Sequence, residues 1–320
     1  DLIKDIHPEV KVWKSPIWEP YELKDKLFGR SLSSNAGIIE DKSLLKNKIM
    51  NWVRGNFFIP DPKVFWVRPS VKLLSRKIQE EGISHIISTG PPHSMHLIGL
   101  GLKKKYPSIK WIADFRDPWS ELDLLDEFYL SKRSRKRHKK LEKEVLVNAN
   151  LTLTVSESWA QSFNLLGSNN VKLITNGFDS EDFEVKEKNQ DKFIIGHFGL
   201  LNHLRNPHNL WIALNDLCES NPEFNNKLEI RLSGNIDTEV LQSITKFFHL
   251  KNKVLVLGYL SHREVLTEYN NASVLLLLLF NSKSGIGNYP GKIFEYFATN
   301  RPILAFGPKE SDVERLITRT

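Results

Sequence analysis

Cysteine is almost absent from this chain: Cys218 is the only one in 320 residues. A lone thiol closes no internal disulfide and builds no thiolate metal cluster, which points to a reducing, cytoplasmic setting. Long apolar runs are missing too. The longest, Val274 to Phe280, falls far short of the roughly 20 residues that cross a bilayer, so no transmembrane segment is expected. Neither an Asp-x-Asp pair nor a histidine cluster suggests a metal site, and none is expected. The chain opens on Asp1 without a basic stretch leading into an apolar one, so no targeting signal shows. It stops at Thr320, just inside a helix start, and reads as a fragment trimmed at both ends.

What remains is a globular composition. Hydrophobic residues make up 40% and charged residues 26% of the chain, enough to bury sizeable cores and to exclude disorder and collagen. At about 150 residues per domain the length fits two domains. Lys and Arg outnumber Asp and Glu by 45 to 38, a formal net charge of +7.

Apolar runs of strand length alternate with amphipathic stretches of helix length. In the first half the predicted strands are 83–89, 110–113, 151–155 and 171–175, with helices over 93–105, 132–148 and 156–163, the last capped by Ser156. In the second half predicted strands 193–198, 227–232, 254–257, 274–280 and 302–305 alternate with helices 207–219, 238–248, 261–270, 291–298 and one from 310 onward. Residues 1–60, with Trp13, Trp18 and Trp52 at irregular spacing, read as loops and short helices. Short βα units in series predict an α/β fold of two Rossmann-like domains, their parallel sheets facing across a cleft. The polar stretch Asp179–Asp191 marks the boundary, giving domains 1–180 and 181–320.

Ligands of such sheets sit at the carboxyl ends of the strands. The loop after the second strand carries Asp114, Arg116 and Asp117, which either form an internal Arg–Asp clamp or recognise hydroxyl-rich or anionic ligands. One unit earlier, Thr89-Gly90-Pro91-Pro92-His93-Ser94 sets His93 at a helix N-terminus, where it either caps the helix or helps receive an anion. In the second half Gly199 closes a strand and Arg205 precedes a helix, a combination suited to phosphate. Lys292 stands in the first turn of a helix opened by Gly291, where a cation opposes the helix dipole. Either a bound anion offsets that charge, or Glu295 at i+3 pairs with it.

The second half resembles the donor-binding domain of GT-B glycosyltransferases, particularly the retaining family-four type. Three features carry the resemblance: Val155-Ser156-Glu157 followed by Asn176-Gly177-Phe178-Asp179, similar to "VSE … NGxD"; Gly199 with Arg205 six positions on; and Gly291 to Ala298 with Arg301-Pro302-Ile303, similar to "GKxxEYxAxxxPI". The "STGPPHS" and "ADFRDPW" stretches of the first half resemble the acceptor domain of a bacterial subset involved in surface-polysaccharide synthesis. The resemblance covers about residues 60–320.

That resemblance implies metal-independent transfer of a sugar, with retention, from a nucleotide-diphosphate sugar to a hydroxyl acceptor in bacterial glycan synthesis. It implies that Gly199, Arg205, Gly291 and Lys292 hold the donor diphosphate, that Glu295 holds the ribose, and that Gly258 and Tyr259 lie against the base. Asp117, Arg116, Asp114 and His93 become the catalytic candidates on the acceptor side. The partners implied are a nucleotide sugar and a glycan or lipid-linked acceptor, with no cofactor beyond the nucleotide sugar. The sequence departs from the family at Gly287, where the first of two glutamates is expected, and at Leu200, where an arginine is expected. The family's acceptor-side His-Asp pair falls on Arg116-Asp117, and its first strand and glycine-rich loop are missing. A sugar-nucleotide epimerase on the same architecture, or a module that binds without turnover, is the alternative.

The run Lys132-Arg133-Ser134-Arg135-Lys136-Arg137-His138-Lys139-Lys140 is either a solvated helix face or a patch against anionic lipid headgroups at the inner face of the plasma membrane. It lacks the interleaved aromatics of a nucleic-acid surface, and no nucleic-acid partner is expected.

Overall fold

The computed structural model describes residues 7–17, 45–183 and 191–319. The chain divides into two compact units. One runs to Thr154 and includes Trp159–Leu173; the other takes Val155–Ser158 and the chain from Ile174 on. The predicted boundary at 180/181 therefore moves to 173/174. The reason is local. The Asn176 side-chain amide already donates to the Tyr289 carbonyl at 3.1 Å, and Asp182 faces His262 at 3.4 Å, so this stretch is tied into the second unit. Trp18 and residues 184–190 of the expected boundary stretch lie outside the described residues.

The first unit contains helices α1 (Leu45–Phe57) and α2 (Val67–Glu81), then β1 (His85–Gly90), α3 (Ser94–Lys105), β2 (Lys110–Phe115), α4 (Lys132–Asn148), β3 (Leu151–Thr154), α5 (Glu157–Leu166) and β4 (Val171–Leu173). Its strands form one parallel sheet in the order β1-β2-β3-β4. No element was expected for α2, because its apolar stripe is thin: Ser70, Ser75 and Ile78 are its buried residues. It stops where Gly82 turns left-handed at φ 65°, a conformation glycine adopts without steric penalty.

A chain of ring contacts joins this sheet to α4. The Trp111 indole N–H donates to Ser88 Oγ at 2.9 Å, and that hydroxyl lies 2.9 Å from His96 Nδ1. His96 stacks on Phe115 at 4.1 Å, and His93 lies flat on Trp119 at 5.1 Å. The Trp119 indole donates to His138 Nδ1 at 3.0 Å. From the same helix, buried Glu142 accepts the backbone N–H groups of Trp119 and Ser120 at 3.1 and 3.3 Å. The inner face of α4 thus fixes the loop that follows β2.

The second unit holds β5 (Phe193–Phe198), α6 (His208–Ser220), α7 (Pro222–Lys227), β6 (Leu228–Ser233), α8 (Thr238–Thr245), β7 (Val254–Gly258), α9 (His262–Asn271), β8 (Val274–Leu278), α10 (Lys292–Ala298), β9 (Ile303–Phe306) and α11 (Asp312–Arg319). Its sheet is parallel, in the order β7-β6-β5-β8-β9. The period of two in a strand explains why β8 reads as an unbroken apolar run. Leu276 and Leu278 enter one core with Trp211, Ile230 and Leu232, while Leu275 and Leu277 enter the other with Tyr269, Ile293 and Tyr296. Asp312, fully buried, accepts the Ser158 N–H at 3.0 Å and its hydroxyl at 2.9 Å. Asp312 thus fixes the segment Val155–Ser158, which belongs to this same unit. Among the described residues no helix is long and apolar enough to cross a membrane.

Three buried histidines give the first unit a defined acid limit. Burial pushes His93 down to about 3 and His138 to about 4, and holds His96 well below its ordinary 6.5. The unfolded chain binds these protons near 6.5 and the native one does not, so stability is complete above that value. It is lost as the pH falls from about 6.5 toward 4, by about 1.4 kcal/mol per pH unit for each histidine. Burial raises Glu142, Asp61 and Asp117, which act oppositely and offset part of this loss. Thermal unfolding of the first unit should therefore shift downward between about pH 7 and 5, and His96→Gln should shrink the shift. A melting temperature constant over that range in the native sequence would refute this.

Candidate functional site

In an open parallel sheet the ligand crevice lies where the strand order reverses. In the second unit the chain runs outward from β5 to β6 and β7, then returns to β8 and β9, so the reversal falls between β5 and β8. Among the described strands of the first unit the order never reverses. The loop after β5 and the segment leading into α10 therefore frame the candidate site.

At that point Lys292 reaches back across the sheet end. Its ammonium donates to the Phe198 carbonyl at 3.2 Å. Gly199 follows at φ 138°, and a Cβ placed on it would stand 3.3 Å from Lys292 Nζ. The next strand closes in from the other side. Gly199 N–H donates to Ser233 O at 2.7 Å, and a Cβ on Gly234 would fall 2.6 Å from the Gly199 carbonyl oxygen. The positive φ favours glycine at both positions, and at Gly234 backbone crowding excludes a Cβ as well.

Burial pushes the Lys292 ammonium down to about 7, the Arg205 charge adds to the effect, and Glu295 opposes it. Arg205 lies over the Phe280 ring at 3.8 Å, a stabilising stack for a guanidinium. Its Nε is buried without a hydrogen-bond partner, and burial lowers its pKa. Two cations are thus held together in a poorly solvated place, and Arg205 has donor capacity to spare. Beside them opens a cavity of about 330 Å³, walled by Arg205, His208, Asn209, Leu279, Asn281 and Phe306.

The other expected donor residues fall into place unevenly. Glu295 accepts the Tyr269 hydroxyl at 3.0 Å and forms no ion pair with Lys292 within 4 Å, so the i,i+3 salt bridge is not what holds the lysine. Gly291 is exposed and precedes α10 instead of starting it, and a Cβ placed on it would meet nothing within 4 Å. The first N–H groups of that short helix are already engaged: Ile293 donates to Pro290 and Phe294 to Gly291. The Gly258 carbonyl accepts the Gly234 N–H at 2.8 Å and the Ser233 hydroxyl at 2.9 Å, while Tyr259 is 94% exposed.

His197 was not expected here. It is fully buried, with Nδ1 at 3.0 Å from Leu276 O and Nε2 at 3.3 Å from Leu200 O. It ties β8 to the loop after Gly199, and burial beside Lys292 pushes it down to about 3. A polar residue one step before the end of a buried strand was the available signal.

In the first unit, loops 90–93 and 114–119 come together because β1 and β2 are neighbours in register. Their side chains do not form the expected clamp. Asp114 accepts the Thr89 hydroxyl. Arg116 donates through its guanidinium to Pro91 O at 2.9 Å and through its N–H to Gly90 O at 3.1 Å, without an ion pair to Asp114 or Asp117. Asp117 is half-buried, and that burial raises its pKa against the pull of Arg116. His93 is 6% exposed, inside the ring stack. Nor does the N-terminus of α3 stand open to an external anion. Asp61 accepts the Ser94 N–H there at 2.8 Å, so the protein supplies its own carboxylate.

With this geometry in view, comparisons with known proteins are specific. Residues 178–307 match the family model for glycosyl transferases group 1. No curated protein sequence matches the chain. Among solved structures, a mutant of S. aureus TarM in complex with fondaparinux, alpha-GlcNAc-glycerol and UDP is similar over 79% of this chain and 47% of its own, with TM-score 0.54 and 13% identity. Sucrose-phosphate synthase from Thermosynechococcus elongatus is similar over 79% of this chain and 69% of its own, with TM-score 0.55 and 14% identity. The E. coli trehalose-6-phosphate structure bound with UDP-2-fluoro glucose gives 79%, 65%, 0.53 and 11%. The chain spans about half the length of the TarM structure. At these identities the likeness is one of fold, the GT-B arrangement of two Rossmann-like units.

A lysine that titrates near neutrality beside an unpaired arginine makes anion binding depend on pH. Below about 7 Lys292 carries its charge, and above it the charge is lost. Pyrophosphate affinity measured by calorimetry should therefore rise as the pH falls from about 8 to 6, and Lys292→Met should flatten the profile. A profile in the native protein as flat as in the variant would contradict the placement of the lysine. Residues 178–307 thus resemble a group 1 glycosyl transferase domain in sequence, and the chain resembles sucrose-phosphate synthase in fold.

Proposed function

We propose that the chain transfers a sugar from a nucleotide-diphosphate sugar to a hydroxyl acceptor, with the second unit holding the donor. The observation that carries this reading is the Lys292 ammonium against the Phe198 carbonyl at Gly199, beside Arg205, at the point where strand order reverses. Breaking the anomeric bond leaves negative charge on the departing diphosphate. Two preorganised cations in a poorly solvated place stabilise that charge more strongly than they could in water. Gly199 lets the diphosphate approach the backbone, and open space at Gly291 admits it from the other side.

In this reading Arg205 and Lys292 take the part of the family's missing arginine at Leu200, and transfer proceeds without a metal. Glu295, oriented by Tyr269, accepts the ribose hydroxyls. The exposed Tyr259 is available to the base, and the cavity beside Arg205 takes the sugar end of the donor. On the first unit, Asp117 binds an acceptor hydroxyl, since its raised pKa suits proton exchange. His93 and Trp119 hold its loop, and His93 acts through that packing instead of touching the ligand. Retention, and a place in bacterial glycan synthesis with a glycan or lipid-linked acceptor, belong to the same proposal.

Arg205→Ala and Lys292→Ala should each weaken nucleoside-diphosphate binding by about 1.5–3 kcal/mol, the range for charge-assisted hydrogen bonds. Glu295→Gln should weaken nucleoside diphosphate while leaving inorganic pyrophosphate nearly unaffected. Titration calorimetry of the three variants checks both statements. Native affinity in the first two would remove the donor site from this position, and equal losses for both ligands in the third would make Glu295 structural. Release of free nucleotide with a new glycosidic product separates transfer from epimerisation.

A further inference from the structure

The outer face of α4 carries a charge that little among the described residues balances. The helix holds eight Lys and Arg against two Glu, a net of +6 out of the chain's +7. Ser134, His138, Glu142, Val145 and Leu146 turn inward. At 100° per residue the exposed cations Lys132, Arg133, Lys136, Arg137, Lys139, Lys140 and Lys143 fill one arc of about 160°, over a length of about 17 Å. Among the described residues, the one ion pair made by the run 132–140 is Arg135 with Asp126, at 2.7 Å. Lys132 and Lys136, Arg133 and Arg137, Lys136 and Lys140, and Lys139 and Lys143 repel at i,i+4. Most of the charge also sits at the N-terminal end, where the helix dipole disfavours cations. This arrangement weakens an isolated helix, and a negative surface lying against it would relieve the repulsion.

Exposed aromatics stand at the same end. Tyr129, two residues before the Ser131 cap, is 46% exposed and left-handed at φ 49°, a conformation unusual for a bulky side chain. Asn56 of α1 fixes it there by donating to the Tyr129 carbonyl at 3.3 Å and accepting the Ser131 N–H at 2.8 Å. Trp52, one turn before Asn56, and Phe57, directly after it, are both exposed, with rings 5.7 Å apart edge to face. A broad cationic helix face bordered by tyrosine, tryptophan and phenylalanine is the composition that seats at a bilayer interface.

We propose that this face docks on an anionic lipid bilayer, with the cations of α4 on the headgroups and Tyr129, Trp52 and Phe57 entering the interfacial layer. Charge complementarity selects the occupant, since seven exposed cations share one outward side of the helix. The aromatics gather at one end instead of alternating with the cations, unlike the stacking platforms that bind single-stranded nucleic acid. The inference goes beyond sugar transfer and stands without it. It has a consequence for the first unit, because the inner face of the same helix anchors Trp119 and Ser120. Docking α4 thereby sets the Asp117 loop close to the lipid surface.

The test is sedimentation of the full chain with vesicles of phosphatidylcholine alone, or of phosphatidylcholine mixed with phosphatidylglycerol. The native chain should bind the mixed vesicles, release them as salt is raised, and ignore the neutral ones. Replacing Lys132, Arg133, Lys136, Arg137, Lys139 and Lys140 together by Gln should weaken binding at least about a hundredfold. Circular dichroism and nucleoside-diphosphate affinity should stay unchanged, which separates this outcome from failure of the donor site. Trp52→Ala with Phe57→Ala should weaken mixed-vesicle binding several-fold at constant charge, about what loss of two interfacial rings implies. Equal binding to both kinds of vesicle, full binding by the six-fold variant, or capture of an oligonucleotide without capture of mixed vesicles would overturn the proposal.

Discussion

The approach of the Lys292 ammonium to the Phe198 carbonyl is the constraint around which the second unit is arranged. A cation held in so little water is unfavourable by itself, and the surrounding residues serve to keep it there. Gly199 and Gly234 leave room that no other residue would leave. His197 fixes the neighbouring loop from beneath, and Phe280 carries Arg205 on its face. In the proposed function, an arriving diphosphate would turn an unfavourable pair of charges into a favourable set of contacts, so that desolvation before binding becomes stabilisation after it. On that proposal the same cations would already be in position when the leaving group gains charge.

The first unit is organised differently. Its centre is a run of rings and histidines, from Trp111 through Ser88, His96 and Phe115 to His93, Trp119 and His138. Helix α4 closes that run with Glu142 and turns its charge outward. One element thus holds the loop of Asp117 on one side and faces solvent with seven cations on the other. Stability, loop position and surface charge are three properties of a single 17-residue helix.

Periodicity made much of this architecture legible. The strand at Phe193–Phe198 and the helix at Lys132–Asn148 have the predicted bounds, the strand because it is a short apolar run buried on both faces and the helix because its buried and charged faces are sharply divided. Helices α1 and α2 were not legible, since their inward faces are partly polar and their contacts come from distant residues such as Phe128 and Leu130 against Gly55. The domain boundary moved for a similar reason: Asn176 is polar in sequence but joined to Tyr289 in space.

The candidate site divides along the same line. Gly199 and Lys292 were singled out because each is unusual where it stands, a glycine ending a strand and a cation opening a helix, and Arg205 for its place in the loop before a helix. What sequence could not supply was the identity of each partner. Lys292 meets Phe198 and not Glu295, Glu295 meets Tyr269, and Arg116 meets Pro91 and not an aspartate. The N-terminus of α3, inviting to an anion in sequence, is served by Asp61 from 33 residues away. Spacing identifies the chemical groups, and the fold decides which of them remain free.

The most direct measurement is the NMR titration of the Lys292 side-chain ammonium, in the free protein and with pyrophosphate. A midpoint near 7 in the free protein, moved upward by pyrophosphate, is the result required of a desolvated cation awaiting an anion. A midpoint at the ordinary lysine value that pyrophosphate leaves unchanged would contradict it.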